Sequence, residues 1–323
     1  MLKTGRELFT TTPKTAADAL KILHLPDEFL PVLLEETYAI RKKHKGNLVD
    51  IQVLTNARSG NCSQDCGYCA QSCDSKAEIN KYRLIPYEKL SQNGSIIYAR
   101  QLARHCIGLS GIRFSDREIN EFAQYIQDLK GEVDTDICCS IGFLTPKQAK
   151  ILKSAGVSRI NHNLNTSRNF YSSICTTHTY DERVANIKML QALGFEICCG
   201  GIIGLGEEAV DIVNMLLEIK EINPQSVPIN FLIPVEGTVL YDTDISHLTP
   251  EYCLKILCLA RLLLPKSDIR CAAGREIYLK DKEALMFYAV NSIFSSGYLT
   301  ADGQSIEETI KLVTAAGFDY KIE

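Results

Sequence analysis

The sequence predicts one α/β domain, a (β/α)8 TIM-type barrel with an N-terminal helical extension and a C-terminal helical tail. Three observations carry this. Short apolar stretches alternate with helical stretches of roughly 10 to 15 residues about seven or eight times, the pattern of βαβ units with parallel pairing. No low-complexity linker interrupts that alternation. Residues able to carry chemistry fall at the ends of the predicted strands, where barrels keep their sites. At 323 residues the chain has room for a barrel of about 250 residues and two flanking elements.

Taken in order, residues 16–43 read as helical and amphipathic without a glycine, so residues 1–46 form the extension. Residues 47–56 are rich in β-branched side chains and read as the first strand. Residues 137–143 form a short apolar strand, after which Thr145 serves as N-cap and Pro146 as the first helical residue. That helix runs to Gly156, and residues 157–164 return as a strand. Residues 180–193 form a helix closed by Gly194, and residues 195–203 a strand ending in a glycine-rich segment. A helix over 207–222 and a strand over 227–233 follow, and segments 252–264, 268–272, 280–290 and 292–294 continue the alternation. The barrel thus spans residues 47–298, and the tail, 299–323, carries a helix over 305–316 that caps one end.

Composition narrows the classes. Apolar residues make up 46% and charged residues 23%, ordinary for a globular protein with a sizeable core. A net charge of −4 argues against a nucleic-acid or membrane-surface binder. No apolar run approaches the roughly 18 residues of a membrane span, and no signal-peptide core is seen, so a cytoplasmic protein is expected. Thirteen cysteines are then expected to be reduced thiols, available to metal or buried as small apolar residues. Cys253 and Cys258, in an apolar helical run, fit the second use.

Cys62, Cys66 and Cys69 form a Cys-x3-Cys-x2-Cys triplet directly after the first strand. Soft thiolates packed into one loop suit an iron–sulfur centre. Three of them leave one iron of a cubane open to the amine and carboxylate of a small molecule. A Cys-x2-Cys pair alone also serves zinc or redox chemistry, but the second spaced pair of a four-ligand zinc site is missing, although Cys73 follows closely. Tyr68, just before Cys69, suits stacking on an adenine.

The triplet with Tyr68 resembles the signature of the radical S-adenosylmethionine enzymes, and Gly60, Asp65 and Gln71-Ser72 around it resemble the biotin synthase family. The likeness continues in order through Asn161-His162-Asn163-Leu164-Asn165-Thr166, Thr176-Thr177-x-Thr179-Tyr180-x-x-Arg183, residues 200–207, Val227-Pro228-Ile229-Asn230 and Ala273-Gly274-Arg275-Glu276. It implies a four-iron cluster on Cys62, Cys66 and Cys69 that cleaves S-adenosylmethionine to methionine and a 5′-deoxyadenosyl radical. It further implies hydrogen removal from dethiobiotin and sulfur insertion from a second, sacrificial cluster of the two-iron type. By the same resemblance Cys106, Cys138, Cys198 and Arg270 match the ligands of that auxiliary cluster, and Asn163 and Asn230 match dethiobiotin contacts. Arg183 matches a residue near the S-adenosylmethionine carboxylate, and Asn165 stands where the family usually has an aspartate on a ribose hydroxyl. Partners implied are an electron donor such as flavodoxin or ferredoxin and a second copy in a homodimer.

Other readings stand beside these. Arg183 also fits a solvated helix face, and Asn163 and Asn230 fit strand-end caps. Arg275-Glu276 reads as a structural ion pair, and His162 as a packed barrel residue. A relative without sulfur insertion would not need Cys106, Cys138 and Cys198, and a plain iron–sulfur carrier would not need an open iron or the two asparagines. Cys139, Cys199 and Cys271 each follow a matched auxiliary ligand by one residue. Strand alternation turns them outward, yet their repetition on three strands leaves open a larger, four-iron type of auxiliary cluster with these thiols as added ligands.

Overall fold

A computed structural model describes residues 13–320. Residues 1–12 of the extension and 321–323 of the tail lie outside the described residues. The strands are β1 (Asp50–Arg58), β2 (Arg104–Leu109), β3 (Ile137–Ser140), β4 (Val157–Asn161), β5 (Glu196–Cys198), β6 (Gly201–Ile203), β7 (Ser226–Phe231), β8 (Asp268–Cys271) and β9 (Ser292–Ser295). All pairings among them are parallel, in the order β5-β4-β3-β2-β1-β9-β8-β7-β6, and a β5–β7 pair closes the ring. β5 and β6 are two halves of one interrupted strand, so the closed structure is an eight-stranded barrel.

The interruption falls at Cys199-Gly200, opposite Val227-Pro228, where proline has no N–H to give a ladder. A Cβ on Gly200 would lie 1.9 Å from the Pro228 carbonyl oxygen, so only glycine lets the two backbones pass. The Gly200 N–H, freed from regular pairing, instead donates to Asn163 Oδ1 at 3.0 Å.

Local signals hold where the sequence placed them. Thr145 caps the helix Pro146–Ala155 in a box with Gln148, and Gly156 ends it in the left-handed conformation. Thr179 and Glu182 cap Tyr180–Ala192, and Ser305 and Glu308 cap Ile306–Ala315, in the same way. One expectation needs correction: residues 16–43 are not one helix. Ala16–Leu23 and Leu30–Lys45 are separated by Pro26 and the turn Asp27–Phe29, because proline disfavours helix at the residue before it. The segment predicted as helix over 280–290 is a 3₁₀ run, Lys280–Tyr288. The tail does more than cap. Val49 N–H donates to Asp319 O at 2.7 Å at the base of β1, while Leu299, Thr300 and Ala301 line the cavity at the other end.

The N-terminal end of the barrel is closed by charges. Asp268 accepts from Lys45 Nζ at 2.7 Å and lies 3.8 Å from Arg159, which pairs with Glu196 at 2.8 Å; Arg104 joins Asp136 at 3.0 Å. Burial raises the Asp268 pKa, but Lys45 and Asn291 outweigh it and hold the carboxyl below its ordinary value.

Replacing Gly200 with alanine forces backbone apart at the strand break and is expected to lower stability by about 1–3 kcal/mol. Gly131→Ala, at an open position near a helix end, is expected to be neutral or slightly stabilising. Urea unfolding of both variants checks the contrast.

Candidate active site

One cavity of about 370 Å³ opens at the C-terminal ends of the strands. Cys62, Cys66, Tyr68 and Cys69 form part of its wall, with Asn163, Asn165, Arg183 and Asn230 around it. Three thiols on one short loop at the cavity edge, with an arginine facing them, fit a cubane held on three irons. Burial pushes the Cys69 thiol up to about 11, so metal binding at that sulfur must displace its proton.

The loop is clamped from one side. Asp65 accepts from the N–H and hydroxyl of both Thr176 and Thr177. Burial works to raise its pKa, but the hydrogen bonds from Thr176, Cys175 and Thr177 hold it well below the usual carboxylate range. Thr176 and Thr177 were noted in the sequence only as part of a pattern, and this geometry gives them their task.

Arg183 is buried, which removes the solvated-face reading. Its Nε donates to Tyr171 Oη, Nη1 to Asn163 O at 3.0 Å and Nη2 to His178 Nε2 at 2.8 Å. The guanidinium keeps further N–H groups for a carboxylate in the cavity. Asn165 sits at φ 73°, a left-handed conformation asparagine tolerates, and its Nδ2 donates to Tyr68 Oη at 2.7 Å. A neutral amide therefore fixes the ring of Tyr68 and keeps Oδ1 as an acceptor.

Asn163 and Asn230 are both strand-end ties and cavity residues. Asn163 accepts from Gly200 N–H; Asn230 donates to Gly201 O at 3.0 Å and accepts from Ala273 N–H at 3.2 Å. An amide carries two N–H groups and two lone pairs, so each retains capacity for a bound molecule. His162 packs on Phe143 with ring centroids 5.2 Å apart and is buried, as the packed reading expects. Arg275 is fully buried between Glu276, Glu283 and Gln304, a structural ion pair as read.

Deeper in the barrel, Cys106, Cys138 and Cys198 form a buried cluster with Ala272, Phe294 and Tyr298. Cys106 pairs with Cys138 across β2 and β3, and Cys198, which pairs with Asn161 across β4 and β5, lies two residues along from the Cys138–Arg159–Glu196 row, on the same face of the sheet. Arg270 Nη1 lies 3.7 Å from Cys198 Sγ, with its other nitrogens on Ser292 and Ser226 and its plane 4.6 Å above the Phe294 ring. Asn161 Nδ2 donates to Cys198 Sγ at 3.3 Å, and Cys106 Sγ donates to Gln52 Oε1 at 3.2 Å. Hydrogen bonding with Cys138 pulls the Cys106 thiol down and pushes the Cys138 thiol up to about 12. Three convergent sulfurs beside one guanidinium form a buried donor set in the barrel interior.

Cys139, Cys199 and Cys271 do not join that set. They lie in the apolar core that also holds Ile107, Ile160, Ile229 and Ile293, on the opposite face of the same strands. Burial pushes their thiols up, that of Cys199 to about 12. The expectation that they add ligands to the inner set is corrected by alternation: one residue along a strand reverses the side chain. Cys253 and Cys258 are likewise core residues, and Cys73 is exposed. The sequence reading missed Cys175 and His178, which stand against Cys66; nothing local in sequence signals a contact that spans 109 residues.

Comparison with known proteins agrees with this geometry. The radical SAM superfamily model matches residues 57–219, and the Biotin and Thiamin Synthesis associated domain matches residues 228–319. The barrel superposes on methylornithine synthase with a TM-score of 0.84 at 19% identity, covering 98% of this chain and 97% of that one. It superposes on the hydrogenase maturase HydG of Carboxydothermus hydrogenoformans with a TM-score of 0.83 at 17% identity, covering 98% and 78%. The chain is thus an enzyme of the radical S-adenosylmethionine class. Biotin synthase of Bacillus subtilis strain 168 is 40% identical over 95% of this chain and 91% of its own length, and that of Geobacillus thermodenitrificans 39% over 94% and 91%. The chain belongs to the biotin synthase family.

Single Cys106→Ala, Cys138→Ala or Cys198→Ala variants are expected to lose auxiliary iron. Cys139→Ala, Cys199→Ala and Cys271→Ala are expected to keep full iron and sulfide and to lose only about 1 kcal/mol or less of packing. Iron and sulfide assays on the reconstituted variants distinguish the two groups.

Proposed function

We propose that this enzyme converts dethiobiotin to biotin, holding a four-iron cluster on Cys62, Cys66 and Cys69 and a two-iron auxiliary cluster on Cys106, Cys138, Cys198 and Arg270. The observation that supports this is the pair of donor sets, one on the rim of the cavity and one buried in the barrel interior, with Asn163 and Asn230 on the cavity wall. The first cluster with S-adenosylmethionine supplies a carbon radical able to take hydrogen from unactivated carbon, and the second supplies sulfur.

The protein's part is placement. Arg183 offers its guanidinium to the carboxylate of S-adenosylmethionine, and Tyr68, held by Asn165, offers a face for the adenine. Asn165 Oδ1 accepts from a ribose hydroxyl in place of the family's aspartate. Asn163 and Asn230 donate to and accept from the cyclic urea of dethiobiotin, which fixes the reacting carbons between the two clusters. Leu54, Ile202 and Phe294 on the wall keep water from a reactive radical. The ion pairs at the barrel base close the other route.

Electrons are proposed to come from a flavodoxin- or ferredoxin-type donor, and the working form to be a cytoplasmic homodimer; family membership alone supports these. No described helix is long and apolar enough to cross a membrane.

Anaerobically reconstituted protein with reductant and S-adenosylmethionine is expected to release 5′-deoxyadenosine faster when dethiobiotin is added, and to form biotin. Release indifferent to dethiobiotin contradicts the reading. Asn163→Ala and Asn230→Ala each remove one urea contact, about 1–2 kcal/mol, so the dethiobiotin concentration for half-maximal release should rise roughly tenfold.

A further inference from the structure

Cys175 has no task in the reading above, yet it stands beside a cysteine of the triplet. Cys66 Sγ and Cys175 Sγ are 3.7 Å apart, and both residues are buried. The contact joins segments that lie 109 residues apart in the chain.

The two segments run past each other with ties on either side of this pair. Gly67 N–H donates to Ile174 O at 2.9 Å. On the other side Asp65 N–H donates to Thr177 Oγ1 at 3.3 Å, and the Asp65 carboxylate accepts from Thr176 N–H at 3.0 Å. Residue 67 thus faces 174, and residue 65 faces 176 and 177, which leaves Cys66 opposite Cys175. A disulfide requires two backbones this near and side chains that point at each other. The sulfur contact shows that these two do. The bond itself holds its sulfurs about 2 Å apart, and rotation of the two side chains within the bracket completes that approach.

The two thiols differ in access. Cys66 is part of the cavity wall, whereas Cys175 lies behind it, off the wall. A small oxidant entering the cavity therefore meets Cys66 first.

We propose that Cys66 and Cys175 form a reversible oxidative modification site of the cluster-free protein, with hydrogen peroxide as the oxidant. Peroxide converts the Cys66 thiol to a sulfenic acid, its O–O bond breaking and one water leaving. The Cys175 sulfur then attacks the Cys66 sulfur. The S–S bond forms, the S–OH bond breaks, and the hydroxyl leaves with the Cys175 proton as a second water. The pair loses two electrons and two protons, and peroxide is reduced to two waters. A thiol reductant reopens the bond by exchange. The disulfide stops Cys66 short of the sulfinic and sulfonic acids, which a thiol does not reverse, and withholds it from iron until it is reduced. The bond needs only the two thiols; its effect on cluster loading rests on Cys66 being an iron ligand, as in the reading above.

The test is mass spectrometry of cluster-free protein treated with peroxide, alkylated and digested without reductant. Wild-type protein should give a peptide pair joined through Cys66 and Cys175 that dithiothreitol separates. Cys175→Ala and Cys175→Ser should both lose that pair and carry Cys66 on to the sulfinic and sulfonic acids. Both variants should still take up the four-iron cluster, which shows that the loop remains folded. No joined pair in wild-type protein overturns the proposal, as does a pair that joins Cys66 to Cys62 or Cys69 instead. A separate arm treats anaerobically reconstituted protein with iodoacetamide, from which iron should shield Cys66. Alkylation of Cys66 with the four-iron signal intact overturns its assignment as a ligand and leaves the disulfide site standing, a result distinct from either failure above.

Discussion

The alternation of side chains along parallel strands is the constraint on which the site depends. In a closed barrel each strand residue faces either the interior or the helices, and the register between neighbours decides which interior residues share a level. Here the pairings of Cys106 with Cys138 and of Pro228 with Arg270, and the closure of β5 on β7 at Cys198, gather three thiols and a guanidinium from four strands into one buried set. A one-residue slip in any of these strands would exchange Cys138 for Cys139 or Cys198 for Cys199, moving a thiol from the interior to the helix-facing core. The ion pairs around Asp268 and Arg159 at the base and the Gly200 crossing near the top hold that register at both ends.

The cysteine loop depends on a second, local device. A loop bearing three soft ligands has no strand ladder to fix it, and Asp65 supplies the missing restraint by gathering four donors from Thr176 and Thr177. Arg183, Tyr171 and His178 continue the same wall toward the cavity. The residues that hold the cysteine loop and Arg183 on the cavity wall are therefore one hydrogen-bonded unit, so the position of the loop and the shape of that wall are coupled.

Much of this was legible in the sequence because its signals are local. Thr145-Pro146, Gly156, Thr179 and Ser305 mark helix ends by capping chemistry that needs no tertiary context, and the triplet states its ligand type by spacing alone. Pro26 marked a break that the amphipathic pattern around it concealed. β2 gave no strong strand signal, since Arg104 and His105 open it, although it carries Cys106. Cys139, Cys199 and Cys271 show the opposite difficulty: a repeated coincidence in sequence suggested ligands, whereas alternation had already assigned them to the core. Cys175 and His178 were not found because their meaning lies in contacts with Cys66, Gln64 and Asp65 made only when the chain has folded.

The most direct test of the two-site account is Mössbauer spectroscopy of iron-reconstituted protein in which Cys62, Cys66 and Cys69 are all replaced by alanine. The account predicts that the inner donor set still loads and gives the spectrum of a two-iron cluster alone. A four-iron spectrum from that variant, or no bound iron at all, would contradict it.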